Sequence, residues 1–285
     1  MGVMCCMKNL CLYLSGEKWV SYPLGLKFPA LFAGTYPFRG RGFISHLLFV
    51  LNKSQLDRLL LRKEDPPLPI EDVAWLWPSP KRSRSRFYGY RVESGRISAY
   101  IKVASGGDMA RLAKEVENVK KICSCSPKTF KVPKCLSVQT INGCLVAEFE
   151  PLPEGVCNLP DTMETLNKVD AARREIAGLG YAHGDFLSHN IKVANGDLWI
   201  IDWEEMMENA PVSLDEISFN TAFAHFHRGK SMQCVWSQFA SDYMAKPDKR
   251  EHAIEALRSM SARNIGLGGK LLECMKSSAK WVSPR

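Results

Sequence analysis

The sequence predicts an α+β protein of two lobes, an antiparallel-sheet N-lobe followed by a mainly helical C-lobe. Three observations predict it. Short runs with period-two alternation crowd the first half, and longer runs with helical spacing crowd the second. The composition breaks at residues 148–155, where "EFEPLPEG" separates the two patterns. With 285 residues, the chain is large enough for one big or two small domains.

Residues 1–42 are rich in Gly, Pro and aromatics and show no clear period, so they read as an irregular extension. Residues 43–63 turn helical, with Ser54 as a cap before Leu56, Leu59 and Leu60, and "EDPPLP" breaks that helix. The expected organisation is an N-terminal extension over 1–70, a sheet lobe over 71–150 and a helical lobe over 151–285.

The sheet lobe opens on "VAWLW" at 73–77, a polar basic loop "SPKRSRSR" at 79–86, "FYGYRV" at 87–92 and "ISAYIKV" at 97–103, which read as a three-stranded meander. A helix follows over 106–122. Asp108 is placed at its cap, and Leu112, Val116, Val119 and Ile122 recur on one face. Two strands joined at Asn142-Gly143, a strong hairpin dipeptide, complete the sheet. In the second lobe, "METLNKVDAARREIAGLGYAH" (163–183) reads as a helix. Strands "IKV" and "LWII" flank the turn "ANGD", and helices run from Leu214 onward.

Composition excludes several classes. Hydrophobic residues make up 46% and charged residues 24%, ordinary for a globular protein with a real core. Ten cysteines contain no CxxC pair, so zinc-ribbon spacing is missing and reduced thiols are expected. No unbroken apolar run reaches the ~18–20 residues a membrane-spanning helix needs, and no cleavable signal peptide is evident. The expected location is cytoplasmic, with peripheral contact at the inner face of an anionic membrane as a further option. The formal charge of +8 suits a phosphorylated ligand or such a surface, and no nucleic-acid partner is expected. "MGVMCC" places Gly2, Cys5 and Cys6 where acylation could occur, although Cys6 stands where the myristoylation pattern has Ser or Thr.

The stretch "YAHGDFLSHNIKVANGDLWIIDWEE" (181–205) concentrates polar groups between apolar runs. Asp185 and Asn190 lie five apart in a loop, and the 191–201 hairpin folds Asp202 back toward Asn190. An Asp, an Asn and a second Asp converging in this way offer hard oxygen ligands to Mg²⁺, which takes few protein carboxylates and leaves room for phosphates. The remaining Asp can orient or deprotonate a hydroxyl. Lys102 on the third strand and Glu115 on the following helix are the complement. A strand Lys can grip nucleotide phosphates while a helix Glu holds it, and Glu117 is the other candidate for that Glu.

"HGDFLSHN" followed by "IIDWEE" resembles the catalytic core of aminoglycoside phosphotransferase-like and choline kinase-like enzymes, within the protein kinase-like superfamily. The resemblance spans roughly residues 73–219, and it implies a two-lobed protein kinase-like fold. It also implies ATP and Mg²⁺ as cofactors and a phosphotransferase with an alcohol group as acceptor. By that resemblance Asp185 is the catalytic base, Asn190 and Asp202 hold the metal, and Lys102 with Glu115 contacts the phosphates. The backbone at Glu148 and Glu150 is the hinge that binds adenine, and Asp215 buttresses the catalytic loop. His183 is expected to orient that loop.

There are departures. The phosphate-covering loop has no glycine, so Ser83 and Ser85 with the neighbouring basic residues are expected to take over. The helical tail is short for an antibiotic kinase. The expected acceptor is therefore a small molecule or sugar, such as a lipopolysaccharide-core sugar or an aminoglycoside-like alcohol. A protein Ser/Thr kinase, including a secreted effector, and a catalytically silent nucleotide-binding pseudokinase are the alternatives.

Overall fold

The structure is a computed structural model that describes residues 9–14, 17–23, 62–76, 85–94, 96–211 and 213–278. The expected helix over 43–63 (apart from its last two residues), the basic loop up to Arg84, Ser83, Trp77 and the acylation candidates lie outside these residues. The chain divides into two compact units, Met1–Lys120 with Pro133–Val156, and Lys121–Val132 with Cys157–Arg285.

Among the described residues the first unit is built on one antiparallel sheet of eight strands. They are β1 (Asn9–Leu14), β2 (Glu17–Pro23), β3 (Arg62–Glu64), β4 (Val73–Leu76), β5 (Arg86–Glu93), β6 (Arg96–Ala104), β7 (Cys135–Ile141) and β8 (Cys144–Phe149), in the order β3-β1-β2-β4-β5-β6-β8-β7. The meander β4-β5-β6 and the hairpin β7-β8 are as the sequence reading expected. Asn142 and Gly143 have φ of 49° and 74°, the double positive that a tight two-residue hairpin requires. The extension departs from its reading. Residues 9–14 and 17–23 are strands, not irregular chain, and they lengthen the sheet through Val20↔Leu76 and Ser21↔Trp75. The two strands pair with each other as a hairpin, and only their joining to β4 is a long-range choice.

Alternation explains the packing. Val73, Trp75, Ile101, Val103 and Val146 are buried together with Leu68 and Ile70. Gly89 is required here for close approach, because a Cβ on it would stand 2.7 Å from Val73 and 2.9 Å from the Trp75 ring. Helix α1 (Asp108–Ser124) follows β6 and buries Leu112, Val116, Val119 and Ile122, the helical stripe read from the sequence.

The second unit is mainly helical. Its helices are α2 (Met163–Gly178), α3 (Leu214–Ala222), α4 (Met232–Phe239), α5 (Pro247–Ala262) and α6 (Gly268–Ser277). The α3 and α4 helices each run on into a π-helical turn, Phe223–His227 and Ala240–Met244. Thr162 caps α2 by accepting from the Thr165 amide at 3.2 Å. The α2 helix stops five residues before its expected end, because Gly180 turns the chain with φ of +85°. Three short antiparallel strands, β9 (Cys157–Asn158), β11 (Ile191–Ala194) and β12 (Asp197–Ile200), form one small sheet, and β10 (Tyr181–Ala182) pairs with β13 (Met207–Glu208). Among the described residues no helix is long and apolar enough to cross a membrane. The fold class is thus α+β, an antiparallel sheet followed by a helical unit.

Candidate functional site

In the first unit the Lys102 side chain lies on the face of β6 opposite buried Ile101 and Val103. Its Nζ donates to Glu115 Oε1 of α1 at 2.6 Å, with both side chains largely shielded, at 14% and 4% exposure. Glu117, two residues on, falls on the exposed side of the helix. The structure therefore chooses Glu115 as the Lys102 partner, for the plain reason that 200° of helical rotation separates the two carboxylates.

The other first-unit candidates are engaged as follows. Ser85 donates its hydroxyl to Asp108 at the start of α1, where Arg86 Nε also stands 3.2 Å from the carboxylate. Asp108 is the first helical residue, not the residue before it. Glu148 lies in β8 opposite Ile101 and Ser137, and its carboxylate pairs with Arg91. The Glu150 amide, expected to reach adenine, donates to Lys134 O at 2.8 Å, and the Glu150 carboxylate accepts from the Lys134 amide at 3.1 Å. The chain entering β7 extends the ladder past β8 and takes up that donor. Arg91 and Lys134 went unread in the sequence, because cross-strand partners of carboxylates carry no local signature.

In the second unit the candidate residues do come together. The loop after β10 is held from both ends. Asp215 of α3, buried, accepts the His183 amide at 2.7 Å and the Gly184 amide at 3.0 Å. The His183 ring lies fully buried between Phe186 and Trp203, whose ring centre is 4.6 Å away. Its Nε2 bonds the Ile201 carbonyl at 3.0 Å, and its Nδ1 takes the Asp185 amide at 3.3 Å. That pair of contacts demands a neutral ring with the proton on Nε2. Burial agrees, lowering its pKa to about 4.

Asn190 is buried and ends a single 3₁₀ turn, Ser188–Asn190. Its Nδ2 donates to the Asp185 carbonyl and to Asp185 Oδ2, both at 3.0 Å. The amide nitrogen thereby faces Asp185, which leaves the amide oxygen as the atom suited to a cation. The Ile201 amide donates to the Asn190 carbonyl at 3.0 Å, tying the start of β11 to the end of β12 just before Asp202. Asp202 itself is left-handed, at φ 69° and ψ 59°. A non-glycine residue pays for that conformation, on the order of 1 kcal/mol, and it tends to persist at functional positions.

Burial pushes the Asp185 pKa up to about 6, and the nearby Asp202 charge adds to the rise. The Asn190 hydrogen bond pulls the other way, and Glu205 and Glu204 raise it further. A field of clustered carboxylates with an amide oxygen among them is a hard-oxygen donor set, and a divalent cation would relieve the repulsion that Asp185 registers. The chemistry of this donor set is compatible with a divalent cation such as Mg²⁺, which Asn190 and Asp202 would hold.

Two residues that the sequence reading passed over, Gly184 and Arg263, complete this geometry through Glu205, which that reading weighed with Glu204 as a contact to substrate or a second metal. Gly184 has φ of +84°, and a Cβ there would stand 2.1 Å from the Glu205 carbonyl oxygen. Glu205 in turn meets Arg263, whose Nη2 donates to the Glu205 carbonyl at 3.0 Å and to its carboxylate. Gly184 could have been read as obligatory from its place in "HGD"; nothing local marks Arg263. Of the two histidines in "HFH", His225 bonds the Lys230 carbonyl at 2.8 Å and His227 stacks on Phe223, so they serve packing. The second unit also contains a cavity of about 290 Å³ lined by Asp170, Arg173, Glu216, Phe219 and Tyr243 among others. None of Asp185, Asn190 or Asp202 lines it.

No protein-family model matches the chain, and no curated protein matches it. Solved structures of WbdD are similar to it. One, co-crystallised with a kinase inhibitor, is 16% identical over 76% of this chain and 49% of that one, with a TM-score of 0.42. A second is 17% identical over 70% and 46%, at 0.41, and monomeric WbdD is 17% identical over 66% and 48%, at 0.43. The chain thus spans about half the length of these proteins.

Proposed function

We propose that this chain is a member of the protein kinase-like superfamily and an ATP- and Mg²⁺-dependent phosphotransferase. It would move the γ-phosphoryl group to a hydroxyl of a small molecule or sugar. The observation that carries the reading is the Asp185–Asn190 pair, whose amide nitrogen clamps Asp185 at two oxygens and so leaves the amide oxygen as the atom that would serve a metal. Left-handed Asp202 follows directly from the strand bonded to Asn190.

Each residue has a task that its surroundings support. Asp185, with a pKa raised to about 6, is ionised at neutral pH yet basic enough to accept a hydroxyl proton as the acceptor oxygen attacks. Asn190 orients it and shares with Asp202 the holding of Mg²⁺, which when bound supplies positive charge to the phosphate oxygens. Lys102, fixed by Glu115, neutralises charge on the α- and β-phosphates. Neutral His183 and ionised or protonated Asp215 do no proton transfer; they fix the loop backbone.

Turnover of ATP with Mg²⁺ is the test, run against sugars, aminoglycosides, choline-like alcohols and generic protein substrates. Asp185→Asn and Asp202→Ala should each lower the rate by about 10²–10⁴-fold, the range that a positioned base supplies. Lys102→Ala should weaken ATP use. If wild type and all three variants bind ATP alike and none turns over, the phosphotransfer reading is wrong and a silent nucleotide-binding scaffold takes its place. Transfer to protein but to no small acceptor would move the acceptor class, not the chemistry.

A further inference from the structure

We propose that Arg263, the residue just past α5, is a positioning residue that latches Glu205 and so sets where Asp202 stands relative to Asp185. Its catalytic consequence rests on the phosphotransfer reading; its structural content does not. The turn Trp203–Glu205 is a stiff block. Its Trp203 is fully buried, donates Nε1 to the Ile200 carbonyl at 3.0 Å, and packs at a tilt against the His183 ring. The Met206 amide closes the turn on the Trp203 carbonyl at 3.2 Å. Asp202 is one end of that block and Glu205 the other.

The Glu205 end is gripped from two sides. Gly184, next to Asp185, abuts the Glu205 carbonyl so closely that no side chain fits between them. Arg263 bonds both that carbonyl and the Glu205 carboxylate. Both bonds come from one guanidinium nitrogen, Nη2, whose direction the planar group fixes, whereas an ammonium turns freely at the end of a flexible stem. Arg263 is itself firmly seated. Its amide bonds the Ser259 carbonyl at 3.2 Å, and the Ile265 amide bonds the Met260 carbonyl at 2.8 Å. Gly268 is packed where a Cβ would meet Met260 at 2.3 Å, and Gly266 where one would touch Leu187 of the catalytic loop at 3.5 Å. The Arg263 side chain thus links the C-terminal hairpin to the turn that follows Asp202. The same bond keeps the Glu205 carboxylate occupied beside a site that must admit a cation.

The test uses the full chain as wild type, Arg263→Ala, Arg263→Lys and Glu205→Gln. The readouts are the Mg²⁺ concentration giving half-maximal ATP turnover, and hydrogen exchange at the Met206 amide. Arg263→Ala should raise the Mg²⁺ requirement about 10–100-fold, as loss of a partner behind a metal ligand does, and should speed Met206 exchange. Arg263→Lys should recover part of both. Glu205→Gln keeps the carbonyl bond, gives a smaller change, and serves if Arg263→Ala does not fold. A fall in maximal rate with unchanged Mg²⁺ requirement and unchanged Met206 exchange would mark a merely structural role and overturn the latch. If wild type shows no turnover, the phosphotransfer reading falls, and exchange alone decides. Faster exchange in Ala than in Lys then upholds the latch, and equal exchange in wild type and Ala overturns it.

Discussion

Single residues carry the sharpest tests. Gly184 needs a positive φ and also the absence of a Cβ, since the Glu205 carbonyl occupies that space. Gly184→Ala should therefore cost more than about 2 kcal/mol, because backbone strain and a clash with main chain add. Urea unfolding of an alanine variant indistinguishable from wild type would show the loop to be looser than described here. His183 makes a prediction in pH. Its folded pKa is depressed to about 4 from an unfolded value of 6.5, so the folded state refuses a proton that the unfolded chain accepts. Its contribution is complete above pH 6.5 and is lost as the pH falls toward 4. Asp215 acts oppositely, since burial raises its pKa to about 6 and the fold takes up its proton first on acidification. The stability gap between wild type and His183→Gln removes the Asp215 effect. That gap should shrink by about 2–3 kcal/mol between pH 7.5 and pH 4.5, and a gap constant across that range would contradict a buried neutral ring.

Elements differ in how plainly the sequence announces them. The stripe Leu112, Val116, Val119, Ile122 and the Asn142-Gly143 hairpin were legible because both are local: one is a 3.6-residue period, the other a dipeptide that tolerates left-handed backbone. Strands β1 and β2 were not legible: they pair with each other as a hairpin, but they join the rest of the sheet through β4, more than 50 residues away. The C-terminal hairpin of α5 and α6 was legible as helices, but its packing was not: Ile265, Leu267 and Leu271 are buried with Leu257 and Met260. Removing residues 263–285 should strip three buried aliphatic side chains worth about 1.5–3 kcal/mol each. That sum approaches the whole stability of a typical domain, so the truncated chain should lose cooperative thermal unfolding. A truncated chain that melts as sharply as wild type would show the hairpin to be an appendage.

At the scale of the whole molecule, the α+β class and the change from sheet to helix near residue 150 follow from the sequence by itself, because strand and helix periods differ and "PLPEG" interrupts both. So does the gathering of Asp185, Asn190 and Asp202, since a four-residue strand, a two-residue turn and a second strand can only fold back on themselves. Tertiary structure alone decided the rest. It selected Glu115 over Glu117 by helix face, turned the Glu150 amide into a ladder bond, and joined Arg263 to Glu205 across 58 residues of chain. The physical reason is the same in each case. A period or a turn is written in neighbouring residues, whereas the partner of a charge or an amide depends on which distant segment packs beside it.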